Sequence, residues 1–443
     1  MINKYTLSFH WNLGAILVKV DEVIKLVTSI LRSRKYRDFK MSAHEEREIE
    51  WSTLDWFSNA PDAESEEVDE TGLHKVPVLG GTPATRIIGV DGSSRRFSTP
   101  YGTFVIATIA VAQGPLLFVD YPPLEYEYPV RWELNAPFMA TYTSEDVEKY
   151  NFIATESPAD HPYQPPRSSG TSEKTSGGYS PADIAHEVRT RLETLGLRVA
   201  ASIAHARSLI LLDGPLYQRP WSPEVRRSNY LKEDWERLTE ERINALREVY
   251  GRGITVVGSV KRLDKSQLIV KTHGTLIKAL KLSSPFPSQE NDYAEAIQLA
   301  RAYVAQYSLR GLEPLLIGPL HMVPPAKLQE EVSVEMPEIV YSYVVIPQLP
   351  YNSNLDKTPC RVIRLEVLSE VYKKEGLEAF FRALSEGFTG NPLLPRVQAI
   401  ADARCKYTSK KLFKEMCSYV SSEGIDLSHD TLTALQTGES YDE

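Results

Sequence analysis

The stretches Ile87-Ile-Gly-Val-Asp-Gly-Ser-Ser94 and Leu209-Ile-Leu-Leu-Asp-Gly-Pro-Leu216 decide the fold, because each is an apolar run that leads into an Asp-Gly pair. Short apolar runs of this kind predict buried β-strands. An acidic residue at the end of a buried strand lies at the edge of a sheet, where α/β proteins commonly build their sites. The following glycine lets the backbone turn and a ligand approach closely. We therefore expect Asp91 and Asp213 to share one edge of a sheet.

The rest of the chain alternates between apolar runs and helical patterns. Further strands are predicted at 103–111, 253–258, 339–346 and 362–367, and helices at 181–205, 231–250, 368–384 and 397–420. Strands that alternate with helices indicate an α/β sheet with helices on its faces.

Composition divides the chain into a main domain and three flanking or inserted parts. Residues 1–84 are predicted as an N-terminal helical extension for packing or dimerisation, with an acidic, solvated loop at 62–70. Residues 85–420 form the main domain. They include an insertion and flexible linker at 121–181, rich in Pro, Ser, Gly and Thr over 154–181. Residues 421–443 are expected to form a C-terminal tail.

Charge and cysteine content exclude several classes of protein. The 443 residues carry 50 Lys and Arg against 59 Asp and Glu, a net charge of −9, so any basic surface must be local. Three cysteines without a C-x-x-C pair argue against a disulfide framework or a structural zinc site. No apolar run approaches the roughly 20 residues that cross a bilayer, and no secretory leader is evident. We expect a cytoplasmic protein that does not bind membranes.

Acidic residues on the helix between the two Asp-Gly strands complete a candidate metal site. Glu193 and Glu187 both lie on that helix, six positions apart and hence on different faces, so one of them is expected to point inward. Three converging carboxylates would repel one another without a cation, and hard oxygen ligands select Mn²⁺ or Mg²⁺. Two such ions, about 4 Å apart, can activate a water and stabilise the leaving oxygen of a phosphodiester.

Lys261 follows the apolar run at 256–260 and is expected at the same sheet edge, where it could hold a phosphate or a water. The residues alone leave alternatives open. Each Asp-Gly can be an ordinary turn, and Lys261 can be a solvated residue of a basic loop.

Five segments together resemble the successive motifs of the NurA nuclease family. They are the two Asp-Gly stretches, Arg191-Leu-Glu193, Val256-Val-Gly-Ser-Val-Lys261 and Val362-Ile-Arg-Leu-Glu366, and the resemblance covers about residues 85–410. It implies a ribonuclease H-like core and a homodimer that encloses a DNA channel. It also implies Mn²⁺-dependent DNA cleavage, as a 5′–3′ exonuclease and single-strand endonuclease, together with a HerA-type hexameric ATPase in double-strand-break end resection.

The same resemblance assigns Asp91, Glu193 and Asp213 as ligands of two Mn²⁺ or Mg²⁺ ions and Lys261 as an accessory catalytic group, with Glu187 as the alternative ligand. The chain departs from the family near its C-terminus. There the family carries Tyr-Pro-x-x-Leu-x-x-Ala-His, and the nearest match puts Asn391 and Ala399 in place of the Tyr and the His.

That departure leaves a second hypothesis, a catalytically weak NurA-like subunit that binds DNA or docks an ATPase. Other classes lack their motifs. The glycines at 253 and 258 are not followed by the phosphate-binding lysine of a P-loop, and no G-x-S-x-G or H-E-x-x-H occurs. Glycosidases usually have aromatic side chains around their catalytic acids to bind the sugar, and few tryptophans lie near the acidic residues here.

Overall fold

The computed structural model describes most of the main domain and parts of the flanking segments. The described residues are 24–32 without 26 and 30, 64–76, 86–114, 117–122, 138–142, 181–217, 229–308 without 265, 284 and 285, 313–324, 333–348, 355, 358–389 without 386, and 394–437.

A ten-stranded mixed sheet organises these residues, in the order β1-β8-β9-β10-β7-β6-β2-β3-β4, with β5 paired to β3. A separate small pair is formed by β11 and β12. The strands are β1 (Glu64–Lys75), β2 (Ile87–Thr99), β3 (Gly102–Gln113), β4 (Leu117–Tyr121), β5 (Met139–Tyr142), β6 (Leu209–Asp213), β7 (Thr255–Val260), β8 (Leu315–Val323), β9 (Ile339–Pro347), β10 (Cys360–Leu368), β11 (Phe388–Thr389) and β12 (Leu394–Pro395).

Nine helices connect or flank these strands in the described part of the chain, besides helical residues within 24–32. They are α1 (Pro181–Ile203), α2 (Asn229–Gly251), α3 (Leu268–Lys271), α4 (His273–Ala279), α5 (Asp292–Gln306), α6 (Ser369–Glu375), α7 (Glu378–Leu384), α8 (Arg396–Ser422) and α9 (His429–Thr437).

The parallel part of the sheet lies at its centre. β2, β3 and β4 form an antiparallel meander, β6 then pairs parallel to β2, and β7 pairs parallel to β6. Helix α1 leads into β6 and α2 leads into β7. All residues of β7 and the first four of β6 are buried, as expected for strands covered on both faces.

Alternate residues of β2 face two different helices, because successive side chains of a strand point to opposite faces. Gly89 lies against the backbone of α8, where an added Cβ would be 2.5 Å from the Val397 carbonyl oxygen. Gly92, of the opposite parity, lies against α1, where an added Cβ would be 2.9 Å from Cγ of both Arg189 and Glu193. Helices α1 and α8 therefore cover opposite faces of the sheet.

The mixed α/β architecture predicted from the sequence is confirmed, with several local differences. Residues 64–75, partly expected as an acidic loop, form β1, which pairs with β8. The single helix expected at 368–384 is divided into α6 and α7 at Gly376, whose φ is +60°. The expected C-terminal tail contains α9, in which Thr431 Oγ1 donates to the Ser98 carbonyl at 2.8 Å.

The predicted insertion and linker fall almost entirely outside the described residues. Within 121–181 the structure describes 121–122, 138–142 and the first residue of α1. The amphipathic pattern predicted near the N-terminus is described at 24, 25, 27–29, 31 and 32, which are helical. No helix among the described residues is long and apolar enough to span a bilayer.

Candidate metal centre

Asp91 lies within β2, on the face of the sheet that α8 covers. Asp91 is two residues after Gly89, so its side chain points to the same face of the sheet. Its pairing partner on β3 is Ala110. Its side chain is only 2% exposed. Burial of a carboxylate is costly unless other groups compensate its charge, so the neighbours of Asp91 decide what the site can do.

Asp213 ends β6, one step beyond the last residue pair that joins β6 to β2. A buried amide fixes its orientation. Gln398 on α8 donates from Nε2 to Asp213 Oδ1 at 2.6 Å, and its own Oε1 accepts from Ser259 Oγ on β7 at 2.9 Å. The strand end therefore presents one carboxylate in a defined position.

Asp402, on the second turn of α8, faces these two residues from above the sheet. One carboxylate oxygen from each of Asp91, Asp213 and Asp402 lies within 4.8 Å of the other two. In the part of the chain that the structure describes, no other group of three His, Cys, Asp or Glu side chains has this spacing. Three carboxylates carried by β2, β6 and α8 thus form one oxygen cluster, hereafter the aspartate cluster.

Lys261, directly after β7, places its ammonium among the three carboxylates. Its Nζ is 3.0 Å from Asp213 Oδ1, 3.0 Å from Asp402 Oδ1 and 3.4 Å from Asp91 Oδ2. The lysine side chain is 15% exposed. Burial acts to lower the pKa of Lys261, but Asp213, Asp91 and Asp402 outweigh it and hold that pKa well above its ordinary value. The lysine is therefore positively charged here.

The charges of these four side chains do not balance. Three carboxylates and one ammonium sum to −2 when all are ionised. Accordingly, burial first and the negative charge of Asp213 second raise the pKa of Asp91 well above its ordinary value. Lys406 contacts Asp402 from the rim, at 3.4 Å from Oδ2, and it is nearly half exposed. The interior of the cluster lacks positive charge, which a divalent cation would supply.

Glu193 lies on the other side of β2, next to Gly92. An added Gly92 Cβ would be 2.9 Å from Glu193 Oε1, so the glycine is what lets this carboxylate approach the strand that carries Asp91. Its oxygens pair with two arginines: Oε2 with Arg242 Nη2 at 3.2 Å and Oε1 with Arg189 Nε at 3.6 Å. The structure thus brings Asp91, Asp213 and Lys261 together and places Glu193 in a separate, ion-paired environment. Glu187 lies on α1, and its side chain is outside the described residues.

The Arg-x-Glu pattern of β10 supports the loop that follows Asp213. Arg364 and Glu366 are fully buried and pair through Arg364 Nε and Glu366 Oε1 at 2.9 Å. The other oxygen of Glu366 accepts from the backbone N–H of Leu216 at 3.2 Å. This buried pair stabilises the turn at Gly214 and Pro215, and hence the end of β6.

Sequence reasoning missed Asp402, although a spacing signal was available. The segment Leu394-Pro-Arg-Val-Gln-Ala-Ile-Ala-Asp402 has Pro and Ala at the spacing of the family pattern Tyr-Pro-x-x-Leu-x-x-Ala-His. In that alignment Asp402 takes the place of the His. Ala399, the match chosen from the sequence, lies half-buried on α8, and Asn391 is outside the described residues. The contact of Asp402 with Lys261 supports the shifted alignment.

Comparison with known proteins places the chain in a family. The search of curated proteins finds no match. The chain is similar to the crystal structure of the NurA nuclease from Sulfolobus solfataricus, at 12% identity and a TM-score of 0.37, covering 93% of this chain and 97% of that one. It is also similar to a crystal structure of NurA with manganese, at 10% identity and a TM-score of 0.37, covering 90% and 98% of the two chains.

A third similar structure is NurA bound to dAMP and manganese, at 11% identity and a TM-score of 0.32, covering 73% of this chain and 84% of that one. The match that decides the family is that of the family model described as the NurA domain, which spans residues 85–407. Since that range is well over half of the 443 residues, the chain belongs to the NurA family.

Proposed function

We propose that this protein is a divalent-cation-dependent deoxyribonuclease whose ion is held by Asp91, Asp213 and Asp402. The observation that carries the proposal is the aspartate cluster, in which oxygens from three separate elements lie within 4.8 Å of one another. An all-oxygen ligand set favours hard cations such as Mn²⁺ or Mg²⁺. Membership of the NurA family supports a phosphodiester of DNA as the substrate.

The ligand geometry suits a cation that bridges strands and helix. Gln398 holds one oxygen of Asp213, which orients the remaining oxygen, and Asp91 is fixed by its place within β2. A bound divalent ion would polarise the phosphodiester and lower the pKa of a coordinated water. Lys261, whose raised pKa keeps it charged, would donate to a non-bridging phosphate oxygen once its ammonium turns from the carboxylates toward the substrate.

Glu193 is proposed as a ligand of a second ion, on the other side of Gly92. Its support is its closeness to the backbone of β2 beside Asp91. To bind an ion, its carboxylate would turn from Arg189 and Arg242, which would then be free to pair with phosphate oxygens. Two ions flanking Asp91 would be placed to assist the attacking and leaving oxygens respectively.

An exposed basic face of α8 supports DNA as the substrate. Lys406, Lys410 and Lys414 follow one another at helical spacing and are exposed, and Tyr407 beside them is 48% exposed. At 1.5 Å per residue these lysines span about 12 Å, or roughly three phosphates of one strand. The face starts one turn after Asp402, so a DNA strand along it would reach the aspartate cluster.

Finer features of the family are also part of the proposal. A ribonuclease H-like core is supported by the strand order, in which an antiparallel meander of three strands precedes two parallel strands, each reached through a helix. A homodimer that encloses a DNA channel, a HerA-type hexameric ATPase as partner and a role in DNA end resection are supported by family membership alone.

A catalytically weak scaffold subunit is the second candidate. It is favoured by the departure from the family's C-terminal motif, in which Leu394 and Asp402 replace the Tyr and the His in the alignment that the structure supports. The two functions differ in one outcome. A scaffold binds DNA but leaves it intact at any Mn²⁺ concentration, whereas the enzyme cleaves it.

The direct test is incubation of the full chain with end-labelled linear DNA in Mn²⁺, in Mg²⁺ and in EDTA. We expect cleavage with Mn²⁺, none with EDTA, and a loss of at least about 100-fold in Asp91→Ala and Asp213→Ala. Asp430→Asn, an exposed carboxylate on α9, is the matched control and should cleave normally. Full activity in either alanine variant would refute the ligand assignment.

A further inference from the structure

We propose that Lys261 and the divalent cation exchange places: the ammonium occupies the aspartate cluster before the ion binds, and it moves to the substrate phosphate when the ion enters. This inference rests on the proposed metal-dependent nuclease. It adds that metal binding and phosphate binding are coupled through one lysine.

The starting position is defined by three contacts. The Nζ of Lys261 lies 3.0 to 3.4 Å from one oxygen each of Asp91, Asp213 and Asp402. A lysine ammonium has three N–H donors, so these three acceptors use its full capacity.

The ion and the ammonium cannot both occupy this position. Mn²⁺ or Mg²⁺ binds carboxylate oxygens at about 2 Å, so an ion shared by the three aspartates would lie between the same carboxylates that the ammonium now contacts. Two cations in that confined space repel each other. The carboxylates, whose oxygens are up to 4.8 Å apart, would close around the smaller ion as the ammonium leaves.

The displaced ammonium needs a new anionic partner. The four-carbon stem of lysine is flexible, and the side chain is partly exposed, so Nζ can swing toward the opening of the site. With the ion in place the three carboxylates and the two cations sum to zero, and the phosphodiester adds a negative charge that the ammonium can meet. A phosphate at the ion is therefore both the substrate and the acceptor for Lys261.

Two measurable consequences follow from this exchange. Without a phosphate, the ion must compete with the ammonium, which lowers its apparent affinity. With a phosphate present, the ammonium has another partner, so the phosphate tightens metal binding and, by linkage, the metal tightens phosphate binding. Removing the ammonium should improve metal binding and abolish the coupling.

The experiment measures the Kd of Mn²⁺ on the full chain by electron paramagnetic resonance, with and without thymidine 5′-monophosphate as a probe that cannot be cleaved internally. We expect Lys261→Met to bind Mn²⁺ alone at least about tenfold more tightly than the unsubstituted protein. The nucleotide should tighten Mn²⁺ binding about fivefold or more in the unsubstituted protein and less than about twofold in Lys261→Met.

Lys278→Met is the control for the loss of one positive charge, because Lys278 is exposed on α4 and has no part in the aspartate cluster or in the basic face of α8. It should change the Kd of Mn²⁺ by less than about threefold, since solvent and salt screen an exposed charge. Lys261→Gln serves as a second variant if Lys261→Met does not fold, which circular dichroism and melting curves would reveal.

The outcomes separate the two proposals. Equal or weaker Mn²⁺ binding in both Lys261 variants, or coupling that survives in them, would overturn the exchange and leave the metal-dependent nuclease standing. Absence of Mn²⁺ binding in the unsubstituted protein would instead overturn the proposed function itself.

Discussion

Asp91 and Glu193 face opposite sides of β2, although Glu193 lies against Gly92, the very next residue after Asp91. Asp91 points toward Lys261 and α8, whereas Glu193 packs on Gly92 from α1. The alternation of side chains along a strand separates the two carboxylates. Any ion that both residues bind must therefore lie at the edge of the strand, and the two ligands have different neighbours.

This separation predicts a distinct effect of Glu193→Gln. The glutamine keeps the size of the side chain, so we expect Mn²⁺ to bind the aspartate cluster with a Kd within about threefold of normal. Cleavage should fall at least about tenfold, because a second ion would lose a carboxylate ligand. Single-turnover cleavage and Mn²⁺ titration measure the two effects. Glu241→Gln is the control, because it also removes a carboxylate that pairs with an arginine between α1 and α2, namely Arg191. Normal cleavage in Glu193→Gln would show that Glu193 does not bind an ion and serves only as a counter-ion for Arg242.

The raised pKa of Asp91 predicts how stability depends on pH without metal. In the unfolded chain this carboxyl ionises near its ordinary pKa, whereas burial and Asp213 raise the pKa in the folded protein. Between those two values the folded state binds the proton more tightly, so stability falls as the pH rises from the ordinary pKa of the carboxyl toward its raised pKa. In EDTA, Asp91→Asn should remove this part of the fall, so the stability of the variant relative to the unsubstituted protein should increase as the pH rises. Thermal melts of both proteins between pH 5 and pH 8 measure the difference. A constant difference across that range would contradict the assignment.

The close contact between Gly89 and α8 predicts that a methyl group at position 89 displaces Asp402 and weakens the aspartate cluster. Gly89→Ala would place Cβ 2.5 Å from the Val397 carbonyl oxygen, so α8 must move away from β2, and Asp402 must move with it. We expect a loss of about 1–3 kcal/mol in the free energy of unfolding, together with weaker Mn²⁺ binding. Denaturant unfolding and Mn²⁺ titration measure both. Gly274→Ala in α4, where an added Cβ meets no atom within 4 Å, should lose neither. Unchanged metal binding in a destabilised Gly89→Ala protein would show that the position of α8 does not govern the site.

The basic face of α8 predicts a salt-dependent loss of DNA binding. Reversal of charge at Lys406, Lys410 and Lys414 to Glu should weaken binding to single-stranded DNA at least about tenfold and reduce the slope of log K against log salt by about 2. Fluorescence anisotropy in EDTA at several salt concentrations measures both. A control with the same change in net charge reverses the exposed lysines Lys271, Lys278 and Lys373, which lie on other helices. Equal losses in the two triple variants would mean that total charge, and not α8, attracts the DNA.

Most of the central strands could be predicted from the sequence because they depend on local patterns. The apolar runs before Asp91 and Asp213 are strands, and β6 ends at Asp213 as expected. The prediction that Asp91 also ends its strand at a turn is wrong, because Gly92 to Thr99 continue β2 by pairing with β3. Lys261 was expected at the same edge for the same reason, and the structure places it there. Parallel neighbours in a sheet carry their strand ends to one side, so three local observations predicted one meeting point.

Asp402 and the isolation of Glu193 could not be predicted in this way, because both depend on which face of the sheet each helix covers. Nothing in the periodicity of α8 tells which of its polar residues approaches the sheet edge. β1 was missed for a different reason. Its acidic residues are typical of a solvated loop, but β1 lies at the edge of the sheet, where a strand paired with β8 tolerates charged side chains.

The most direct test of the central claim is to locate Mn²⁺ in a crystal of the full chain by its anomalous scattering. The account predicts a peak bound by carboxylate oxygens of Asp91, Asp213 and Asp402 together, at about 2.1–2.2 Å from each, with the Lys261 ammonium moved away. A crystal saturated with Mn²⁺ that shows no peak among these three residues, or a peak that Asp402 does not contact, would contradict it.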